Sequence, residues 1–268
     1  MIHPSTCIDP SAVIADDVVI GPWTQIGPNV VIDPGCRIGP HVIIDKNTRI
    51  GTGTHIFSHV VLGSDPQHLD YQQEETWLVI GEENVIREFV TINRGTKGGT
   101  TVIGGHNYLM SYSHIAHDCN IGSHIIFANT ASVAGHVEVG DYAILGAFSG
   151  VHQFVKIGAY SFLGRATKIY QDILPYMLAT GNPGAPRGIN TVGLRRHGFS
   201  AQQRAALKQA FSIIYRQGLL REQMIEALSA LNEQTDSVQP LIDAIVRSER
   251  GIARATAPVH SNVSEAVS

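Results

Sequence analysis

Ile8-Asp-Pro-Ser-Ala-Val-Ile14-Ala-Asp-Asp-Val-Val-Ile20-Gly-Pro-Trp-Thr-Gln-Ile26-Gly-Pro-Asn-Val-Val-Ile32-Asp-Pro-Gly-Cys-Arg-Ile38-Gly-Pro-His-Val-Ile-Ile44 places an isoleucine at every sixth position. The run continues through Ile50, Ile56 and Leu62, and resumes at Ile80, Ile86 and Ile92. A third run takes in Ile103, Leu109, Ile115, Ile121, Phe127, Val133, Val139, Leu145, Val151, Ile157, Leu163 and Ile169. Six is a multiple of the strand period of two and does not fit a helix. Two positions before the aliphatic stands a small or branched residue: Ala12, Val18, Thr24, Val30, Cys36, Val42, Thr48, Thr54. Each short strand therefore turns two side chains inward, and Gly21, Gly27, Asp33, Gly39, Asp45 and Gly51 mark the turns. Hexapeptide repeats of this kind are the signature of a parallel β-helix.

The repeat resembles that of the hexapeptide transferases. The resemblance implies a mainly β fold, in which three hexads close one triangular coil of a left-handed parallel β-helix. Positions eighteen apart then stack about 4.8 Å from one another up one face. A lone coil cannot bury its inward residues, so stability is shared between neighbours.

The hexad breaks twice. Between Leu62 and Ile80 the expected positions fall on His68 and Glu74, which cannot fill an apolar core, so a loop is expected near residues 64–77. Between Ile92 and Ile103 the step is eleven, and Arg-Gly-Thr-Lys-Gly-Gly-Thr-Thr, residues 94–101, reads as a second loop. Loops that interrupt a rigid scaffold are favoured places for binding residues. The β-helix is expected over 1–174 and a small α-helical C-terminal domain over 175–252. That domain begins with a connector rich in breakers, Gly181 to Gly188. Ser200 and Gln203 form a capping box that opens a helix ending near Gln217, before Gly218. Two more helices are expected, at Leu220 to Asn232 and Val238 to Arg250, with Pro240 in a first turn. Residues 253–268 are small and polar without a period, which predicts a disordered tail.

Composition excludes more than it assigns. A net charge of −4 gives no reason to expect nucleic acid. The start of the chain shows neither a basic segment nor an apolar one, and no stretch reaches the ~20 apolar residues of a spanning helix. A cytoplasmic protein without membrane insertion is expected. Cys36 and Cys119 fall at inward positions and Cys7 lies apart, consistent with reduced thiols.

Histidines crowd the late repeats: His114, His117, His124, His136 and His152. With eighteen residues per coil, His117, Gly135 and Gln153 form one column, and Asp118, His136 and Phe154 the next. A neutral imidazole suits proton abstraction near pH 7, and an exposed backbone N–H beside it can hold an oxyanion. Surface histidines without a role, or a metal site, are the competing readings. The γ-class carbonic anhydrases share the scaffold and bind zinc through histidines that include a pair five apart. No such pair occurs here, and no metal is expected.

Five stretches carry a narrower resemblance: Ile86-Arg-Glu-Phe-Val-Thr-Ile-Asn-Arg-Gly-Thr96, His114-Ile-Ala-His-Asp-Cys119, Ala134-Gly-His-Val137, Val151-His-Gln-Phe154 and Gly193-Leu-Arg-Arg-His-Gly-Phe199. They look like the UDP-N-acetylglucosamine O-acyltransferases of lipid A biosynthesis, and the order of motifs matches from Met1 to about Arg254. The resemblance implies that His117 is a general base, deprotonating the sugar 3-hydroxyl as it attacks the thioester of a 3-hydroxyacyl chain on acyl carrier protein. It implies that Asp118 orients His117 and that the Gly135 N–H holds the oxyanion. Gln67, His68, Asp70, His114, His136, His152 and Gln153 then surround the substrates, and Asn190 and Arg196 contact the nucleotide. Family members are homotrimers with sites between subunits. They need no cofactor, since the thioester carries the activation.

Some positions depart from the family pattern. His68 stands where an acid is usual, Asp70 where a lysine is usual, Val192 replaces a glutamate and His197 an arginine. Two cations are thereby removed from a site that receives a diphosphate. Arg165 occupies the position that limits acyl-chain length, and is expected to close the groove and shorten the chain or to meet a polar donor, the alternative being that it points outward. Besides O-acylation, two readings stay open: N-acylation of the 3-amino analogue, and a non-catalytic protein that binds carrier or acyl ligand.

Overall fold

The computed structural model describes residues 1–233 and 235–254. Each of the twenty-five repeat positions lies in a short strand, from Cys7–Ile8 to Lys168–Ile169. The strands sort into three sheets of nine, eight and ten, and successive coils pair in parallel. Ile8 pairs with Ile26, Ile14 with Ile32 and Ile20 with Ile38, so one coil takes eighteen residues. The protein is a left-handed parallel β-helix followed by helices. Parallel crossovers are normally right-handed because a helix must pack back onto the sheet. Here each crossover is two further strands, so that constraint does not operate.

The inward residues fill one continuous core. Ile20, Ile38, Ile56, Ile86, Leu109, Phe127, Leu145 and Leu163 stack along one sheet, all buried. At about 25 cal/mol per Å² of apolar surface, such burial stabilises each coil only when its neighbours are in place. Buried threonines close the corners, as when Thr24 Oγ1 donates to the Gly39 carbonyl at 2.8 Å. Corners carry a residue in the left-handed region even where it is bulky, including Trp23, His41, Asp118, His136 and Tyr160. Many of these corner rings stack from coil to coil. Trp23, His41, His59, Phe89 and Tyr112 form one ladder with centroids 4.8–5.0 Å apart.

The two breaks are loops. The first runs between strands Val61–Ser64 and Trp77–Ile80, so that Ile50 pairs with Ile80, thirty residues on. The second lies between Thr91–Asn93 and Thr100–Ile103, ending earlier than expected because Thr100 and Thr101 pair with Trp77 and Leu78. Arg94, fully buried, ties them together through Gly63 O, Asp65, Tyr71 and an ion pair with Asp45 at 3.5 Å.

After Pro175 the chain departs from the expected connector. Met177–Gly181 joins the ten-stranded sheet in parallel with Phe162–Leu163, and Gly184–Ile189 returns antiparallel at the sheet edge. Pro186 stands opposite Ala179 where the register shifts, on an edge strand, the place in a sheet where proline is tolerated. Helix α1 (Thr191–Arg196) follows, then α2 (Ala201–Arg216), opened by the Ser200–Gln203 capping box. Helix α3 (Arg221–Asn232) comes next, and a 3-10 turn Asp236–Val238 leads into α4 (Gln239–Arg247), shorter than its expected span. No described helix is long and apolar enough to cross a membrane. Ala253, where a disordered tail was expected to begin, is buried and donates its N–H to the Asp172 carbonyl at 2.9 Å. The remainder of that expected tail, residues 255–268, lies outside the described residues.

Candidate active site

The nine-stranded sheet and the corner after it form a groove of about 490 Å³ in which Gln67, His68, His114, His117, Gly135, His152 and Gln153 meet. Strand His114–Ile115 delivers the sequence into the corner, where His117 is buried and Asp118 takes a φ of 57°. That backbone turn swings the Asp118 carboxylate alongside the imidazole, with Nδ1 of His117 2.8 Å from Oδ2. The bond assigns the proton to Nδ1 and leaves the Nε2 lone pair, which meets no partner among the described residues, for a substrate.

Gly135 lies one coil further on, and its place admits no side chain. A Cβ there would stand 2.5 Å from Cε1 and 2.7 Å from Nε2 of His117. Its N–H donates to no group among the described residues, whereas those of Ala134 and His136 are bonded to Val151 O and His117 O. An unengaged N–H beside a base nitrogen is what a developing oxyanion requires.

His136 packs edge-on to His117 at 5.2 Å, lies flat on Phe154 at 4.5 Å, and sets Nε2 3.6 Å from Asp118 Oδ2. Burial holds the His136 imidazole below its ordinary range; Asp118 opposes this, and His117, His68 and Lys97 reinforce it. For Asp118, burial alone would raise the carboxyl. Hydrogen bonds from Thr96 and His117 and the charge of His136 outweigh it and hold the group below the usual carboxylate value. Burial likewise lowers His114, a hydrogen bond with the Thr91 backbone opposing and His117 reinforcing; its Nδ1 also lies 2.7 Å from Thr91 Oγ1. His117, Asp118 and His136 bring ligand atoms within 4.8 Å of one another. The Asp118 oxygens, however, already accept from Thr96 and His117, so the set reads as a hydrogen-bonded dyad and not as an open chelate.

The remaining sequence-derived residues are distributed unevenly. His68 meets His117 edge-on at 5.3 Å, while Asp70 is exposed and outside the groove lining, its N–H donating to His68 Nδ1 at 3.3 Å. His152 and Gln153 form the open rim. His124 belongs to another corner, stacked between His106 and Tyr142. Asn190 is committed locally: it caps α1 by accepting from Gly193 N at 3.0 Å and donates to Tyr160 O at 3.0 Å. Arg196 is exposed at the end of α1, beside His197, whose ring packs on Tyr142 and Tyr160. Asn190 and Arg196 thus sit along the corner that bears Tyr160, not the one that bears His117. Arg165 is exposed over the Phe148 ring at 5.6 Å and does not line the groove within the chain.

Sequence reasoning missed Lys168 and Tyr170, which also line the groove, and Thr96, which binds the Asp118 carboxylate. The first two were open to the same arithmetic, since Lys168 lies eighteen beyond Gly150 in the sheet.

A geometry of this kind has close counterparts. Residues 172–253 match the family described as Udp N-acetylglucosamine O-acyltransferase, domain 2. Residues 1–33 and 24–58 match the bacterial transferase hexapeptide repeats. The acyl-[acyl-carrier-protein]–UDP-N-acetylglucosamine O-acyltransferase of Halorhodospira halophila is 50% identical over 255 residues, covering 94% of this chain and 99% of its own. That of Paracidovorax citrulli is 51% identical over 259 residues, with the same coverage. Among solved structures, LpxA from Acinetobacter baumannii superposes with a TM-score of 0.91 at 46% identity, covering 94% of this chain and 99% of that one. The UDP-N-acetylglucosamine acyltransferase of Francisella novicida gives 0.93 at 38% identity, covering 97% and 95%.

Proposed function

Because this chain belongs to the acyl-[acyl-carrier-protein]–UDP-N-acetylglucosamine O-acyltransferases, we propose that its groove carries out that acyl transfer, the first step of lipid A biosynthesis, with His117 as general base. The acceptor is the sugar 3-hydroxyl and the donor a 3-hydroxyacyl thioester on acyl carrier protein. Nε2 of His117 takes the hydroxyl proton as the oxygen adds to the thioester carbonyl. The oxyanion so formed rests on the Gly135 N–H. Collapse of the tetrahedral intermediate breaks the carbon–sulfur bond, and the thiolate leaves with the proton held by His117. Asp118 keeps the imidazole in the productive tautomer and stabilises it while it is charged.

The observation that carries this reading is the His117 Nδ1–Asp118 Oδ2 bond of 2.8 Å, with Gly135, whose N–H is unengaged among the described residues, set against the His117 ring. Gln67, His68, His114, His136, His152 and Gln153 position the sugar and the thioester around that pair. Asp70 acts on the acceptor only through His68. Asn190 and Arg196 reach the nucleotide from a neighbouring copy in a homotrimer, since within one chain they lie on another corner. Arg165, exposed in the single chain, sets acyl length at the same subunit boundary and favours shorter chains. The reaction is assigned to the cytoplasm.

The test is mass spectrometry of products from UDP-N-acetylglucosamine and its 3-amino analogue, each offered with 3-hydroxyacyl carrier proteins of graded length. Wild type should give the ester, and His117→Ala should lose at least a hundredfold in rate, within the ~10²–10⁴ that a general base supplies. An amide alone would move the acceptor to the amino sugar. Undiminished turnover by the variant would remove His117 from the mechanism.

A further inference from the structure

We propose that Thr96 is a positioning residue for the His117–Asp118 dyad, held over the Asp118 carboxylate by a loop shaped around it; this rests on the reading of His117 as general base. Thr96 is buried at 7% exposure. Its N–H is shared between the two Asp118 oxygens at 3.0 and 3.1 Å, and its hydroxyl donates to Oδ2 at 2.7 Å. Oδ2 is also the oxygen that meets His117 Nδ1. Thr96 therefore fixes the atom that fixes the imidazole.

A carboxylate can accept about four hydrogen bonds, and burial makes each unmet one costly. Asp118 has one partner in His117, and His136 stands at 3.6 Å. Thr96 supplies the rest, and does so from a different segment of the chain. Without it Oδ2 could turn toward His136, and the Nε2 lone pair of His117 would lose its aim.

A second observation points the same way. A Cβ at Gly99 would stand 2.4 Å from Asp118 Oδ1 and 2.8 Å from Thr96 O. The loop is thus cut away where the carboxylate enters. It is also braced: Gly99 N donates to Thr96 O at 2.7 Å, Gly95 N to Trp77 O at 3.2 Å, and Lys97 N to Glu74 Oε1 at 2.7 Å. Glu74 belongs to the first loop, which also carries Gln67 and His68 into the groove. The sugar-facing loop and the base are therefore joined through the residues on either side of Thr96.

Steady-state kinetics on Thr96→Val, Thr96→Ser, Asp118→Asn and the Thr96→Val/Asp118→Asn double variant test this, with His117→Ala in parallel. Thr96→Val should lower kcat by about ten- to a hundredfold, the range for losing hydrogen bonds to a charged group, with KM for the nucleotide sugar within about twofold. Thr96→Ser should recover most of the rate. The double variant should be no slower than Asp118→Asn alone, because Thr96 acts only through that carboxylate. Wild-type kcat in Thr96→Val, failure of serine to rescue it, or a loss that adds to that of Asp118→Asn would each overturn the inference. If Thr96→Val is unimpaired while His117→Ala is inactive, only the role of Thr96 falls. If His117→Ala turns over normally, the base assignment falls and this inference with it.

Discussion

Gly135 is the most constrained position in the groove. Any side chain there occupies the space of the His117 ring, with its first carbon 2.5 Å from Cε1. Gly135→Ala should therefore fold, with a thermal midpoint near that of wild type, yet lose about a hundredfold in kcat through displacement of the base. Retained turnover would show that the ring has room to move. His114 makes a different prediction. Its folded pKa lies below the unfolded value of 6.5, so the unfolded chain takes up the proton first as pH falls. Stability that is present above that value is lost as pH drops from there toward the folded pKa. The thermal midpoint should fall between pH 7.5 and 5.5, and more shallowly in His114→Gln; equal slopes would refute the shift. His117, Gly135, Asp118 and His136 could be found in the sequence because they keep step with the coil. Thr96 could not, because the second loop sets Thr91 opposite His114, twenty-three residues on, and breaks the eighteen-residue column between Thr96 and Asp118.

Among the elements, the strands were readable because every coil demands the same inward side chains, and this demand repeats far more often than chance allows. The Met177–Gly181 and Gly184–Ile189 hairpin was not readable. Gly181, Pro183, Gly184, Pro186 and Gly188 have the composition of a loop, and only the exposed edge of a pre-existing sheet makes a strand of them. Helix α1 is too short to show a period, and Asn190 explains why it forms. Asn190→Ala removes the cap and the bond to Tyr160 O, which should cost about 1–2 kcal/mol in urea denaturation. Asn190→Asp keeps the acceptor that caps Gly193 N and should recover about half of that. An unchanged midpoint in the alanine variant would show that the cap contributes nothing to stability.

Across the molecule, the residues assigned to one reaction lie on two corners of the prism: His117 with Asp118 and His136, Arg196 beside the Tyr142 and Tyr160 rings. If copies share each groove, His117→Ala and Arg196→Ala chains, each poorly active alone, should regain activity when refolded together. Light scattering should then give three chains per particle. Absence of complementation would place the whole reaction within one chain. The pairing of Ile8 with Ile26, and of Lys168 with Gly150, has one more consequence. Changes of length along this chain are quantised. A single residue added inside a rung spoils the pairing of its own coil with the neighbours on either side, whereas a whole coil can be removed and the remaining rungs still meet. Only the two loops, which stand outside the ladder, are free to vary in length one residue at a time. Over long divergence the first coils can therefore change in number while the groove, built from the first loop and the later coils, is left as it was.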